Sequence, residues 1–206
     1  MVAIVDYGVG NLFSLKSSFA AIGAEAVVTA DKEVLKNADQ ILLPGVGAFG
    51  DAAEKLRASG LADTLKELAA SGKPLLGICL GMQLLFEKSY EYGEHAGLGL
   101  IAGAVRPIGD VIPTDYKIPH IGWNALKKCA SHPLLDGIGD GDCVYFVHSF
   151  YASDCEQALL ATAEYGLDLP AAVACGNVCG CQFHPEKSGE VGLRILKNFC
   201  KLGDRI

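Results

Sequence analysis

Positive charge is in short supply along this 206-residue chain, where 17 Lys and Arg stand against 24 Asp and Glu for a formal net charge of −7. No Lys/Arg cluster offsets that deficit locally, so there is no basic field for a phosphate backbone and direct binding of nucleic acid is not expected. No apolar run is long enough to span a bilayer, and a membrane partner is not expected either. The opening Met1-Val2-Ala3-Ile4-Val5-Asp6 lacks a basic segment and meets a charge too early for an export signal, which argues for the cytoplasm. Repeats, low-complexity tracts and long linkers are also missing. The length and apolar content fit one domain over residues 1–206. Cysteine, by contrast, is plentiful: there are eight, expected as free thiols in a reducing compartment.

The first half alternates strand and helix. Strands are expected at 2–5, 26–29 and 40–43, and helices at 11–22, 32–36, 48–58 and 61–70. Gly72-Lys73-Pro74 then turns the chain into a further strand ending before Cys79. This βαβ rhythm predicts an α/β fold, an open and mostly parallel sheet with helices on both faces. The second half changes character. Short apolar pieces at 98–105, 118–121, 144–148, 158–163, 171–175 and 178–183 read as antiparallel additions, hairpins and edge strands, and an amphipathic helix over about 191–202 closes the chain.

Gly77-Ile78-Cys79-Leu80-Gly81 lies between that last parallel strand and the helix-like Met82-Gln83-Leu84-Leu85-Phe86. A strand turning at once into a helix leaves one residue at a sharp apex, and flanking glycines remove the Cβ atoms that would clash there. A thiol at the apex is expected to be exposed at a helix N-terminus, where unpaired N–H groups favour a thiolate; a buried packing cysteine is the other reading. A cysteine hydrolase also needs a base and a group that orients it. His184 and Glu186, in Phe183-His184-Pro185-Glu186, supply both if the segment is extended, because alternation then puts both side chains on one side; a surface coincidence is the alternative. His95, His120, His132 and His148 have no carboxylate two residues away.

Pro44-Gly45-Val46-Gly47-Ala48-Phe49-Gly50 matches Gly-x-Gly-x-x-Gly, yet it follows the third strand and lacks the acidic residue a dinucleotide site needs about 20 positions on. A turn offering backbone N–H groups to a developing oxyanion is the better fit, facing the same carboxyl-end crevice as Cys79. Cys175, Cys179 and Cys181 have poor spacing for zinc and read as core thiols. No metal and no cofactor are expected.

With Cys79, His184, Glu186 and the turn at 44–47 in this order, the chain resembles the class I, or triad, glutamine amidotransferases over nearly its whole length. Within that class it looks most like the glutaminase subunits of imidazole glycerol phosphate synthases. The likeness runs through Asp6-Tyr7-Gly8-Val9-Gly10-Asn11, Pro44-Gly45-Val46-Gly47-Ala48-Phe49, Pro119-His120-Ile121-Gly122-Trp123-Asn124, Tyr145-Phe146-Val147-His148-Ser149-Phe150 and His184-Pro185-Glu186-Lys187-Ser188. The elbow and the His-x-Glu are common to the class, so the narrower likeness rests on the Gly-Val-Gly turn and the Trp123 segment.

The resemblance implies glutamine hydrolysis by Cys79, His184 and Glu186, with ammonia passed to a cyclase subunit in a heterodimer. It implies oxyanion donors at the amides of Leu80 and Val46, and glutamine contacts from Gly47, Gln83, Ser149 and Phe150, the last two mainly through their backbone. Phe150 stands where relatives often have Tyr, so no hydroxyl is expected there. Asn11, Trp123, Tyr145, His148 and Lys187 would face the cyclase. Read without the resemblance, Asn11 is a helix cap, Trp123 and Tyr145 are core aromatics, and His148 is a satisfied strand-end histidine. No segment is left over for an ammonia acceptor, which is expected on another chain. The alternatives are a triad glutaminase serving another pathway, a stand-alone cysteine hydrolase and a non-catalytic module that keeps the fold.

Overall fold

The computed structural model describes residues 1–202. In chain order the first half runs β1 (Val2–Val5), α1 (Leu12–Ala21), β2 (Ala26–Thr29), α2 (Lys32–Asn37), β3 (Gln40–Leu43), α3 (Phe49–Ala58), α4 (Leu61–Ala70), β4 (Leu75–Ile78) and α5 (Leu80–Gln83). There follow β5 (Phe86–Ser89), β6 (His95–Ala96), β7 (Ile101–Pro107), β8 (His120–Lys128), β9 (Cys143–His148), β10 (Phe150–Ser153), β11 (Leu159–Glu164), β12 (Asp168–Cys175), β13 (Val178–Cys181) and α6 (Gly189–Cys200). The main sheet has nine strands in the order β2-β1-β3-β4-β13-β12-β11-β8-β9. Its first five strands are parallel, and the rest of the sheet is antiparallel.

Every residue of β1, β3, β4 and β13 is buried, as strands covered on both faces require. Alternation then sorts their side chains between two cores. Val2, Ile4, Leu42 and Leu76 pack with Leu15 and Phe19 of α1 and with Ile195, Leu196 and Phe199 of α6. Ala3, Val5, Ile41 and Leu43 pack on the other face with residues of α2, α3 and α4.

Two expectations need correction. β13 closes a hairpin with β12 across Gly176 and Asn177, yet it is not an edge: it lies between β12 and β4, parallel to β4 with Cys181 beside Ile78. Its run Val178-Cys179-Gly180-Cys181 is apolar at every position because both faces are covered, a pattern that does not reveal the direction of a strand. The helix expected over 82–86 covers only Leu80–Gln83, and Phe86 starts β5, which pairs with Ile101 of β7. β5, β6 and β10 were not foreseen; with β7 they form a separate four-stranded sheet, β10-β7-β5-β6.

Candidate functional site

Four neighbouring parallel strands, β1, β3, β4 and β13, end on one edge of the sheet, and the residues just past their ends build the site. Cys79 follows β4 with φ 54 and ψ −113, a strained conformation for a residue carrying a Cβ. The flanking glycines are required by contact rather than by preference. A Cβ on Gly81 would sit 1.9 Å from the Leu43 carbonyl oxygen, and one on Gly77 would sit 2.6 Å from the Gly81 carbonyl oxygen. The Cys79 amide donates to the Cys181 carbonyl at 2.8 Å, tying the apex to β13. The thiol is not exposed as expected: Cys79 is 8% accessible, opening only onto a pocket of about 400 Å³. A four-residue α5 also has little macrodipole to offer, so the electrostatics of the sulfur depend on its neighbours.

His184 is the first of these. Its Nδ1 lies 2.8 Å from Glu186 Oε1, with both side chains nearly inaccessible. The segment is not extended as the sequence suggested. His184 has extended angles, but Pro185–Lys187 is a 3-10 turn, because a proline suits the first position of a helical turn. The turn is fastened by Ser188, whose hydroxyl donates to the His184 carbonyl at 2.7 Å and accepts from the Tyr145 amide at 3.0 Å. Burial disfavours the imidazolium, yet hydrogen bonds to Cys79 and Glu186, with the charge of both, outweigh it and push His184 up to about 9. Glu186 Oε2 is buried with no partner among the described residues. A protonated His184 is therefore the neutralising group for that carboxylate, and the arrangement favours an imidazolium beside the sulfur.

The turn at 44–47 abuts the elbow. A Cβ on Gly45 would meet the Gly81 amide nitrogen at 2.7 Å, and Tyr7, just past β1, fixes the turn by donating its hydroxyl to the Pro44 carbonyl at 2.8 Å. Burial, then the nearby Cys79, push the Tyr7 hydroxyl far up, so it stays a donor. Gly47 has φ 93, which side-chain-bearing residues rarely adopt. The amides of Val46, Gly47 and Leu80 donate to no other group among the described residues. Val46, Gly47, Cys79, Leu80, Gln83, Ser149, Phe150 and His184 all line the same pocket.

Sequence reasoning missed two residues of the site, Glu91 on the pocket lining and Gln182, which is outside that lining but against Cys79. Glu91 is buried, accepts from the Phe49 amide at 2.6 Å, and is pushed upward by burial more than that hydrogen bond holds it down. It thereby occupies the N-terminus of α3, where a nucleotide pyrophosphate would have to bind. Gln182, fully buried, donates its Nε2 to Cys79 Sγ at 3.7 Å. Gln83 Nε2 donates to Gln182 Oε1 at 2.9 Å and to the Phe150 carbonyl at 3.1 Å. Neither Glu91 nor Gln182 sits in a pattern whose local spacing flags it. Among the described residues no three His, Cys, Asp or Glu side chains gather into a metal-ligand set. Cys179 and Cys181 are core residues of β13, their thiols pushed up by burial, Cys179 to about 12, whereas Cys175 is exposed.

The residues expected to face a partner divide. Trp123 is 56% accessible and Lys187 is exposed, with its Nζ 5.6 Å from the half-buried Tyr145 ring; Trp123 and Tyr145 meet edge-on at 5.9 Å. The two aromatics are thus not core residues. Asn11 precedes α1 but makes no side-chain cap. His148 does not belong to the exposed set. It is buried on the pocket wall, donating Nδ1 to the Phe150 carbonyl at 2.8 Å, with Nε2 3.1 Å from His120 Nδ1. Burial pushes it down to about 3, so it is neutral. The Phe150 carbonyl accepts from both Gln83 and His148.

The sequence signature described as Glutamine amidotransferase class-I matches residues 3–202. An imidazole glycerol phosphate synthase subunit HisH from Bacillus cereus is 52% identical over 199 residues, spanning 97% of this chain and 93% of the relative. The same-named subunit from Wolinella succinogenes is 51% identical over 205 residues, spanning 98% of this chain and all of the relative. A crystal structure of a glutamine amidotransferase superposes with a TM-score of 0.77 at 22% identity, covering 99% of this chain and 100% of that one, a likeness of fold.

Proposed function

The chain belongs to the class-I glutamine amidotransferase family, and from that premise and the site geometry we propose that it is the glutaminase subunit of an imidazole glycerol phosphate synthase, serving histidine biosynthesis. The observation that carries the chemistry is the buried Glu186–His184 pair sharing one pocket with Cys79 at the strained apex. Cys79 sulfur attacks the side-chain amide carbon of glutamine, and the proton held by His184 goes to the departing ammonia, leaving a γ-glutamyl thioester. His184, now neutral, takes a proton from water as it attacks the thioester; glutamate leaves and the Cys79–His184 pair is restored. The oxyanion of each tetrahedral intermediate is received by the uncommitted amides of Leu80 and Val46, the latter through reorientation of the peptide joining Gly45 to Val46. Removing one such donor typically costs about 3 kcal/mol in the barrier. Glu91 is the carboxylate lining the pocket and suits the α-ammonium of glutamine. Gln83 Oε1, Gly47 and the backbone of Ser149 complete the amino-acid site.

Ammonia would pass to a cyclase subunit that forms imidazole glycerol phosphate and an aminoimidazole carboxamide ribonucleotide. Ile121 and Trp123, opposite Val147 and Tyr145 in the β8–β9 register, are 57% and 56% accessible and present an apolar face beside the pocket. Such a face supports a docked partner rather than a stand-alone hydrolase. With Cys79→Ala in the reconstituted complex, glutamine-dependent synthesis is expected to vanish while ammonium salts still support product formation. Synthesis from glutamine by that variant would reject Cys79 as nucleophile.

A further inference from the structure

We infer that Gln182 is a catalytic residue of this site, one whose side-chain amide holds an N–H on the Cys79 sulfur and thereby favours the thiolate. The inference rests on Cys79 being the nucleophile. The orientation of the amide follows from its hydrogen-bond partners. A backbone carbonyl can only accept, so the Phe150 carbonyl, 3.1 Å from Gln83, must face the NH₂ end of that side chain. The second N–H of the same group points at Gln182, 2.9 Å away, which must therefore present its carbonyl oxygen there. Gln182 is left with its NH₂ end toward Cys79 Sγ at 3.7 Å. Rotating Gln83 by 180° would set its carbonyl oxygen against those of Phe150 and Gln182, and rotating Gln182 would set two NH₂ groups against each other; either loses the hydrogen bond and leaves buried polar groups unsatisfied. The donor is thus aimed by a chain anchored in the backbone of β10.

Its chemical consequence follows from what else surrounds the sulfur. The Val147 carbonyl, 4.0 Å from Sγ, is an acceptor for the neutral S–H and repels a thiolate. The His184 imidazole and the Tyr7 hydroxyl both lie within electrostatic reach of Cys79. During turnover His184 gives up its proton to ammonia, and the Gln182 N–H is then the donor that stays on sulfur as the thioester breaks and the thiolate re-forms. An amide has no accessible ionisation, so this donor is constant through the cycle.

Gln182→Met keeps an unbranched buried side chain and removes the donor. Iodoacetamide forms a carbon–sulfur bond with a thiolate and releases iodide. Its rate at Cys79, read by mass spectrometry on the peptide containing that residue after reaction of the full chain, needs no glutamine turnover. The variant is expected to keep the high-pH plateau of this rate while its pH profile moves about one unit to the alkaline side. The rate near neutrality then falls about tenfold, as loss of a hydrogen bond to a charged acceptor implies. A profile in its original place overturns the inference, and so does a lowered plateau with an unmoved midpoint, the result expected of packing alone. If the variant does not fold, the unsubstituted protein decides. The Gln182 side-chain amide resonances are expected to shift across the pH range in which Cys79 becomes alkylatable, and flat resonances overturn the assignment. The Cys79→Ala assay tests the nucleophile separately, so failure of one reading is distinguishable from failure of the other.

Discussion

His184 and His148 line one pocket yet hold protons with opposite strength, and their signs make a stability prediction. His184 is raised from 6.5 to about 9 in the fold. Its contribution is complete below about 6.5 and is lost as pH rises through about 9. His148 is depressed from 6.5 to about 3, so the unfolded chain takes up its proton first and stability falls as pH drops from 6.5 toward 3. Unfolding free energy is therefore expected to peak near pH 6.5, with limbs no steeper than about 1.4 kcal/mol per pH unit for one proton. Denaturant titrations across pH 4–9 check this, and Glu186→Gln should flatten the alkaline limb while sparing the acid one. An unchanged alkaline limb in that variant would mean that Glu186 does not hold the His184 proton. At this scale Cys79, His184 and Glu186 are legible in the sequence because each belongs to a short motif. Gln182 and Glu91 are not, since their partners Cys79 and Phe49 lie 103 and 42 positions away.

Among the elements, the β4–α5 elbow depends on close backbone approach. Gly81 lies where an added Cβ would fall 1.9 Å from the Leu43 carbonyl oxygen, and backbone on both sides leaves no flexible group to yield. Gly81→Ala is expected to destabilise the protein by about 1–3 kcal/mol, as overpacking does, and to lower glutamine hydrolysis by displacing Leu80 from the turn at 44–47. Thermal unfolding and steady-state hydrolysis would show both effects together; a variant with unchanged stability and turnover would refute the contact argument. The turn from strand to apex was readable from Gly-x-Cys-x-Gly. The early end of α5 was not, because Leu84-Leu85-Phe86 is an apolar run equally suited to a buried helix or strand. What decides is Phe86 pairing with Ile101, a contact between separate segments.

For the whole molecule, the exposed Ile121 and Trp123 face and the pocket of Cys79 are joined by β8 and β9. His120 on β8 contacts His148 Nε2 through Nδ1 and Asn124 Oδ1, at 2.7 Å, through Nε2, and His148 reaches the Phe150 carbonyl. A partner seated on β8 thus bears on the pocket wall through defined contacts. Mixing the chain with the cyclase and its nucleotide-derived substrate is expected to raise glutaminase turnover by orders of magnitude, and Trp123→Ala should weaken that activation while leaving the free subunit's basal rate within a few-fold. Turnover indifferent to the cyclase would sink the reading of a regulated subunit.

The sequence by itself determined four of the five parallel strands, the apex cysteine and the His-x-Glu pair, because hydrophobic period, glycine placement and a proline act over a few residues. Only the tertiary structure decided that β13 runs beside β4 and brings Gln182 and His184 to Cys79, that the thiol is buried, and that His148 belongs to the pocket rather than to the exposed face. Those outcomes depend on strand order and on burial from both sides, which are set by contacts between segments far apart in the chain.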